Sequence, residues 1–479
     1  MKGRLGVESS PESLVLVIEK VVAGGLGLGS SEGGGKVLVP AVLPGEKVRV
    51  RVRRARRDYL ECRLLELLTP SPHRCLPPCP WYGSCGGCDL QHADYPTQLA
   101  VKQQILEDLL KRHSLDREVL PVLAPPAASA EEFHYRNRVR LHLVDGRAGF
   151  FRPLSHDLQE VDSCLLARPE LNQMLARLTQ HQAWPQLAAR GSGFELSLDQ
   201  VDGRVVLMLN LLRRPAPAQL QAAGRLCRDL PRLKGVGFLP QGHVAGPYLD
   251  LDSLPAGRRD PEALLLHLSL PSTPASPSES AGKTLDLAFE PTGFSQVNQG
   301  QNLFLLERIK ELLQPKGDEL LADLHCGMGN FSLPLAPLVK EVHGVDLQAA
   351  AIRSARTNAV GNEIKNCHFY KASALDGLNQ LIAAGINSDI LLLDPPRTGC
   401  RDLVRALSPP YPSRIIMISC DPATMLRDLV TLRRHGYGVA FMQMVDMFPQ
   451  THHLETITLM RSQGAAGCGK QIGAAYSRI

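Results

Sequence analysis

Ile415-Ile416-Met417-Ile418-Ser419-Cys420-Asp421-Pro422 is a short apolar run that stops abruptly in a polar cluster, and Leu391-Leu392-Leu393-Asp394-Pro395-Pro396-Arg397 repeats that form a little earlier. Runs this short and this uniformly apolar are strands buried on both faces of a parallel sheet, and ligands sit beyond the carboxyl ends of such strands. Cys420 stands at one of those ends. Glu455 follows in Thr451-His452-His453-Leu454-Glu455-Thr456. A thiol and a carboxylate so placed are the groups needed for covalent chemistry on an electron-poor carbon, with a base to take a proton. Against this, a free cysteine is most often just a small buried apolar side chain.

Outward from that pair, the chain from about Leu285 alternates strand and helix, which predicts a doubly wound parallel sheet. Leu320-Leu321-Ala322-Asp323-Leu324 runs into His325-Cys326-Gly327-Met328-Gly329-Asn330-Phe331-Ser332, a strand, a glycine loop and a helix start. Backbone can approach a nucleotide closely there. The next strand, Val342-His343-Gly344-Val345, ends in Asp346, placed to bond ribose hydroxyls. The glycines do not spell G-x-G-x-x-G.

The other end of the chain reads as a small barrel. Leu14-Val15-Leu16-Val17-Ile18 and Lys36-Val37-Leu38-Val39-Pro40 are strands, Gly24 to Gly29 a glycine-rich turn, and Leu43-Pro44-Gly45-Glu46 a tight turn. Val48-Arg49-Val50-Arg51-Val52-Arg53 alternates, which puts valines inside and arginines on one solvent face. Such a face suits a phosphate backbone, although a run of charge is more often simply solvated. Residues 1–70 carry a net +4 of the whole chain's +5, and Lys47 to Arg57 contains no acid. Five short strands of this kind suit an oligonucleotide-binding barrel, and the segment resembles a TRAM domain, the RNA-binding barrel appended to RNA-modifying enzymes.

Between the two lies a dense cysteine cluster. Cys79, Cys85 and Cys88, the last two in Cys85-Gly86-Gly87-Cys88, supply three of the four ligands that zinc or a 4Fe–4S cluster takes. Cys75 is close and Cys164 distant, and spacing chooses neither the fourth ligand nor the metal; a redox or unligated set is the alternative. Helical periodicity runs from about Tyr95 to Arg112. Phe133 to Leu141 reads as a strand bearing Arg136, Arg138 and Arg140. Pro271 to Gly282, rich in Pro and Ser, reads as a linker. No apolar run approaches membrane-spanning length and no signal-type segment follows Met1, so an intracellular, cytoplasmic protein is expected, with its 12 cysteines not paired in disulfides.

Taken in order, Phe294-Ser295-Gln296-Val297-Asn298, the Cys326–Asn330 loop, Asp394 to Arg397, Ser419 to Pro422 and Met447 to Glu455 resemble the RNA uracil-5-methyltransferase family. The barrel and the Cys79, Cys85, Cys88 spacing are similar to its ribosomal RNA branch, which acts on 23S ribosomal RNA. The resemblance spans residues 14 to about 460. It implies an α/β fold: a Rossmann-like class I methyltransferase domain (283–462), an N-terminal OB-type β-barrel (10–70) and a central α+β domain carrying an iron–sulfur cluster (71–282); the tail after Ser462 (463–479) carries no periodicity and reads as disordered. The resemblance makes Cys420 the nucleophile and Glu455 the base in methylation of carbon 5 of a uridine. Gln296, His325, Asn330, Asp346, Ser373 and Asp394 fall where the family contacts S-adenosyl-L-methionine. His325 stands for the usual aromatic, Asp346 for Glu and Ser373 for Asn. Cys79, Cys85, Cys88 and Cys164 become ligands of a 4Fe–4S cluster, with Cys75 spare. Alternatives are the transfer RNA branch, an N-methyltransferase of the Asp-Pro-Pro type, or a non-catalytic RNA-binding iron–sulfur protein.

Overall fold

The computed structural model describes residues 13–241, 248–250, 264–272, 284–407 and 412–463. Most of the expected linker and all but the first residue of the expected tail lie outside these.

Leu14–Val22, Leu26–Ser30, Lys36–Pro40, Lys47–Ala55 and Tyr59–Thr69 form a closed five-stranded barrel. Val48 and Val50 are buried while Arg49, Arg51 and Arg53 are exposed, as the alternation requires. The glycine-rich stretch differs from expectation: only Gly24 and Gly25 turn, and Gly27 and Gly29 lie within a strand. A Cβ at Gly27 would strike Val42 and one at Gly29 would strike Leu16, so these glycines let the strand run tight across the barrel. Glu46, fully buried, bolts the barrel to the next segment. Its carboxylate accepts from Leu43 N (2.8 Å), Ser71 N (3.1 Å) and Arg74 Nε (2.6 Å).

Seven strands make the central sheet, in the order Tyr248–Asp250, Leu233–Pro240, Val205–Leu211, Gly191–Leu198, Arg138–Val144, Arg147–Phe151, Leu158–Glu160. The expected Phe133–Leu141 strand starts only at Arg138. Arg136 and Arg138 are not displayed to solvent. Arg138 donates to Gly293 O (2.8 Å) and pairs with Glu195, and Arg136 packs over the Tyr135 and Phe448 rings. Of the three only Arg140 keeps an exposed side chain, at 70%.

Another sheet, which carries Cys420 at a strand end, has eight strands, ordered Cys367–Lys371, Glu341–Asp346, Leu320–Leu324, Ile390–Leu393, Arg414–Ser419, Glu455–Ser462, Tyr437–Val445, Leu123–Ala127. Leu391, Leu393, Ile415 and Met417 face one core, and Leu392, Ile416 and Ile418 face another. Both faces are covered by helices, which is why these strands read as unbroken apolar runs. One strand departs from a purely parallel sheet, and another comes from a distant part of the chain. Glu455–Ser462 inserts antiparallel to both its neighbours, and Leu123–Ala127, from the N-terminal half, pairs with Tyr437–Val445 at the edge. Helix Tyr95–Arg112, from the same half, packs its Val101, Ile105, Leu106, Leu109 and Leu110 into the core beside Met425, Leu426 and Leu429 of helix Pro422–Arg434. No helix among the described residues is long and apolar enough to cross a membrane.

Candidate active site

Strand Arg414–Ser419 ends one residue before Cys420, and Asp421 then caps helix Pro422–Arg434, its carboxylate accepting from Thr424 N at 2.9 Å. Ser419 is the register partner of Thr456 across the antiparallel pair. Continuing that register by one residue sets Cys420 opposite Glu455. This arrangement follows from the inserted strand; a purely parallel sheet does not juxtapose the two.

Electrostatics at the pair run against ionisation. Burial pushes the Cys420 thiol up to about 11, the Glu455 carboxyl adds to the rise, and Arg397 opposes it. Glu455 is 4% exposed, and burial first, then Asp394, raise its carboxyl well above the ordinary range, with Arg397 again opposing. Arg397 had no role in the sequence reading, yet it is the cation facing both reactive groups. Its carbonyl accepts from Thr424 Oγ1 at 3.0 Å, which ties the Asp394–Arg397 turn to the helix after Cys420. Its place right after Asp394-Pro395-Pro396 was the available signal.

Three carboxyls gather at adjoining strand ends. Asp323 is fully buried, takes a hydrogen bond from Ser332 Oγ (2.6 Å), and is pushed up to about 7 by burial, with Asp394 and Asp346 adding to the rise. Burial also pushes Asp394 up to about 7, and Gln296 Nε2 reaches it at 3.3 Å. Asp346 accepts from Gly327 N (3.0 Å) and Gln348 N (2.8 Å), and with Phe294, Gly327 and Met328 it lines a small cleft. His325 adjoins it with a backbone φ of 98°. The other two expected donor contacts are engaged locally. Asn330 exchanges amide hydrogen bonds with Asn302 (2.8 and 2.9 Å), and Ser373 caps helix Ala374–Ala383 through Asp376.

A second cavity, of about 240 Å³, is lined by Cys79, Cys85, Cys88 and Cys164, with Trp81, Tyr82 and Arg136. Cys75 is turned away and donates to Gln91 O. Burial raises the Cys85 and Cys88 thiols to about 11 and about 12. Among the described residues no three His, Cys, Asp or Glu side chains stand as a single-ion site.

A family model described as tRNA (Uracil-5-)-methyltransferase matches residues 279–463. An uncharacterized RNA methyltransferase of Thermosynechococcus vestitus is 37% identical over 443 residues, 88% of this chain and 92% of that protein. The 23S rRNA (uracil(1939)-C(5))-methyltransferase RlmD of Shewanella amazonensis is 34% identical over 444 residues, 91% and 93% of the two chains. The chain belongs to the RNA uracil-5-methyltransferase family. Among solved structures, the Pyrococcus abyssi tRNA (uracil-54, C5)-methyltransferase in complex with S-adenosyl-L-homocysteine has a TM-score of 0.67 at 22% identity, covering 93% of this chain and 99% of that one. That likeness extends the uracil-5-methyltransferase fold over the barrel, the central sheet and the Cys420-bearing sheet together. The family model alone stops short of the barrel and of Cys79, Cys85, Cys88 and Cys164.

Proposed function

We propose that the protein methylates carbon 5 of a uridine in 23S ribosomal RNA, with Cys420 as nucleophile, Glu455 as base and S-adenosyl-L-methionine as donor. The observation that carries this reading is the thiol and the carboxyl set opposite each other across the Ser419–Thr456 register, beside Arg397. Relatives named for 23S rRNA uracil methylation, alignable over nine-tenths of the chain, support the choice of RNA.

Carbon 5 of uracil is too poor a nucleophile to attack unaided. The Cys420 sulfur adds to carbon 6, the ring's electron pair moves toward the carbonyl oxygen, and carbon 5 becomes nucleophilic. Arg397 favours the thiolate that this step needs. S-adenosyl-L-methionine supplies an electrophilic methyl on a sulfonium. Asp346 would bond its ribose, and Asp394 and Asp323 would give the adjoining strand ends an acidic character that suits a cationic donor. Glu455 then takes the carbon 5 proton, the carbon 6–sulfur bond breaks, and the thiolate is restored. The target base must leave its stack, and the exposed Arg51 and Arg53 would hold flanking phosphates.

Cys79, Cys85, Cys88 and Cys164 around one cavity supply the four thiolates that a 4Fe–4S cluster takes. Cys79, Cys85, Cys88 and Cys164 would hold it, with Arg136 in the wall beside its negative charge. Anaerobically purified protein is then brown; a colourless protein with one zinc rejects the cluster, and Cys164→Ser against Cys75→Ser tests the fourth ligand.

The function is tested by offering purified protein 23S ribosomal RNA and transfer RNA in parallel and digesting both for 5-methyluridine. Modified transfer RNA with untouched 23S RNA rejects the assignment. Glu455→Gln should stall as a methylated covalent complex on a denaturing gel, whereas Cys420→Ala forms no adduct at all.

A further inference from the structure

The segment from Asp446 to Leu454 has no helix or strand of its own, yet it delivers Glu455 into the sheet. Its shape must come from what it touches. Gln450 lies at its centre, 2% exposed, with a backbone φ of 71°. A residue with a side chain adopts that left-handed conformation only where its surroundings over-determine it. Here they do. Gln450 N donates to Gln98 Oε1 at 3.0 Å, and Gln98 Nε2 returns a bond to Gln450 Oε1 at 3.0 Å. The Gln450 carbonyl accepts from Asp89 N (3.2 Å) and Leu90 N (3.1 Å), the two residues directly after Cys88. The Asp89 carboxylate also pairs with His452, and a Cβ on Gly25 of the barrel would lie 3.1 Å from Asp89 and 3.2 Å from His452.

We propose that Gln450 is a positioning residue through which the cysteine-bearing loop sets the placement of Glu455, and that Gln98 is the side chain that locks it. The inference rests on Glu455 being the base. Two consecutive amides past Cys88 converge on one carbonyl, so the path of the cysteine loop is transferred to Gln450. From there Thr451 Oγ1 bonds Phe448 O (2.8 Å) and accepts from His453 N (3.3 Å), leaving little slack before Glu455. Cys420 is carried by a different strand and shares none of these bonds. Loosening Gln450 therefore impairs proton removal, the step after methyl transfer, while thiol attack is kept.

Gln98→Met removes both bonds to Gln450, together with the Gln98 Nε2 bond to Ala93 O, at nearly constant volume. Its kcat should fall on the order of tenfold to hundredfold, as for a catalytic group misplaced by about an ångström. KM for RNA should hold, and the methylated covalent complex should accumulate during turnover. Gln450→Gly keeps the left-handed backbone, the Asp89 and Leu90 bonds and its own N–H bond to Gln98 Oε1, and loses only the bond from Gln98 Nε2; with the backbone also freed by glycine it should accumulate the same complex, and it decides the question if Gln98→Met does not fold. Glu455→Gln is run alongside. If it traps the complex and the folded Gln variants do not, the positioning role is overturned. If Glu455→Gln itself traps nothing, the base assignment fails first. Loss of adduct and turnover together in both Gln variants would mean a general structural role, and would also overturn the proposal.

Discussion

At the residue scale, burial and neighbouring carboxyls oppose ionisation of both Cys420 and Glu455, and Arg397 favours it at both. Because burial and Glu455 both push the Cys420 thiol up, to about 11, its alkylation by iodoacetamide should rise about tenfold per pH unit from neutrality and level off only near that value. Arg397→Gln removes the opposing cation and should slow alkylation at fixed pH. Glu455→Gln removes a carboxyl that raises the thiol and should speed it, even as turnover is lost. A reaction rate flat from pH 7 to 9 would contradict this account. The motif around Cys420 was legible in sequence, because an apolar run ending in polar residues is a strand end. The direction of its titration was not, since that depends on Glu455 and Asp394 arriving from elsewhere in the chain. The expected roles of Asn330 and Ser373 rest on position alone, and the local hydrogen bonds that engage them are equally invisible in sequence.

At the scale of elements, helix Tyr95–Arg112 is the piece whose importance periodicity did not reveal. Its apolar stripe was visible, but Lys102 reads as an ordinary helix-surface lysine. In the fold it is fully buried and donates to Asp446 Oδ1 (2.6 Å) and Phe448 O (3.0 Å), while Tyr95 OH bonds the other Asp446 oxygen at 2.8 Å. Lys102→Met leaves Asp446 buried without its cation and should cost about 3–5 kcal/mol in urea unfolding, with Asp446→Asn added to it recovering part of the loss. The barrel junction answers to acid instead. Burial disfavours the charged Glu46, but Arg74 and the Leu43 and Ser71 amides outweigh it and hold the carboxyl below its ordinary value of 4.5. A depressed folded-state value stabilises above the unfolded one, so the junction should weaken as pH falls below about 4.5. Tryptophan-independent proteolysis of the Pro70–Arg74 segment, followed against pH, reads this directly, and Glu46→Gln should abolish the pH dependence.

At the scale of the molecule, the alternation of strand and helix after Leu285 predicted the sheet that carries Cys420, and the Val-Arg alternation predicted the barrel. The cross-chain pairing of Leu123–Ala127 was hidden, because Leu-Ala-Pro-Pro-Ala carries no strand signal and its partner lies far along the chain. The matched segment 279–463, expressed alone, should therefore be poorly soluble, lacking both this edge strand and the helix over its core, whereas a fragment from residue 90 onward should recover solubility. The same pairing sets a timetable on the ribosome. Leu123–Ala127 is made early, its partner Tyr437–Val445 is made late, and the strand between that partner and Arg414–Ser419 is Glu455–Ser462, later still. At roughly 5–20 residues per second, the early segment waits tens of seconds for its place. Its two prolines, which lack amide hydrogens, suit it to that interval: they make it a poor template for stray β-pairing while the nascent chain is incomplete.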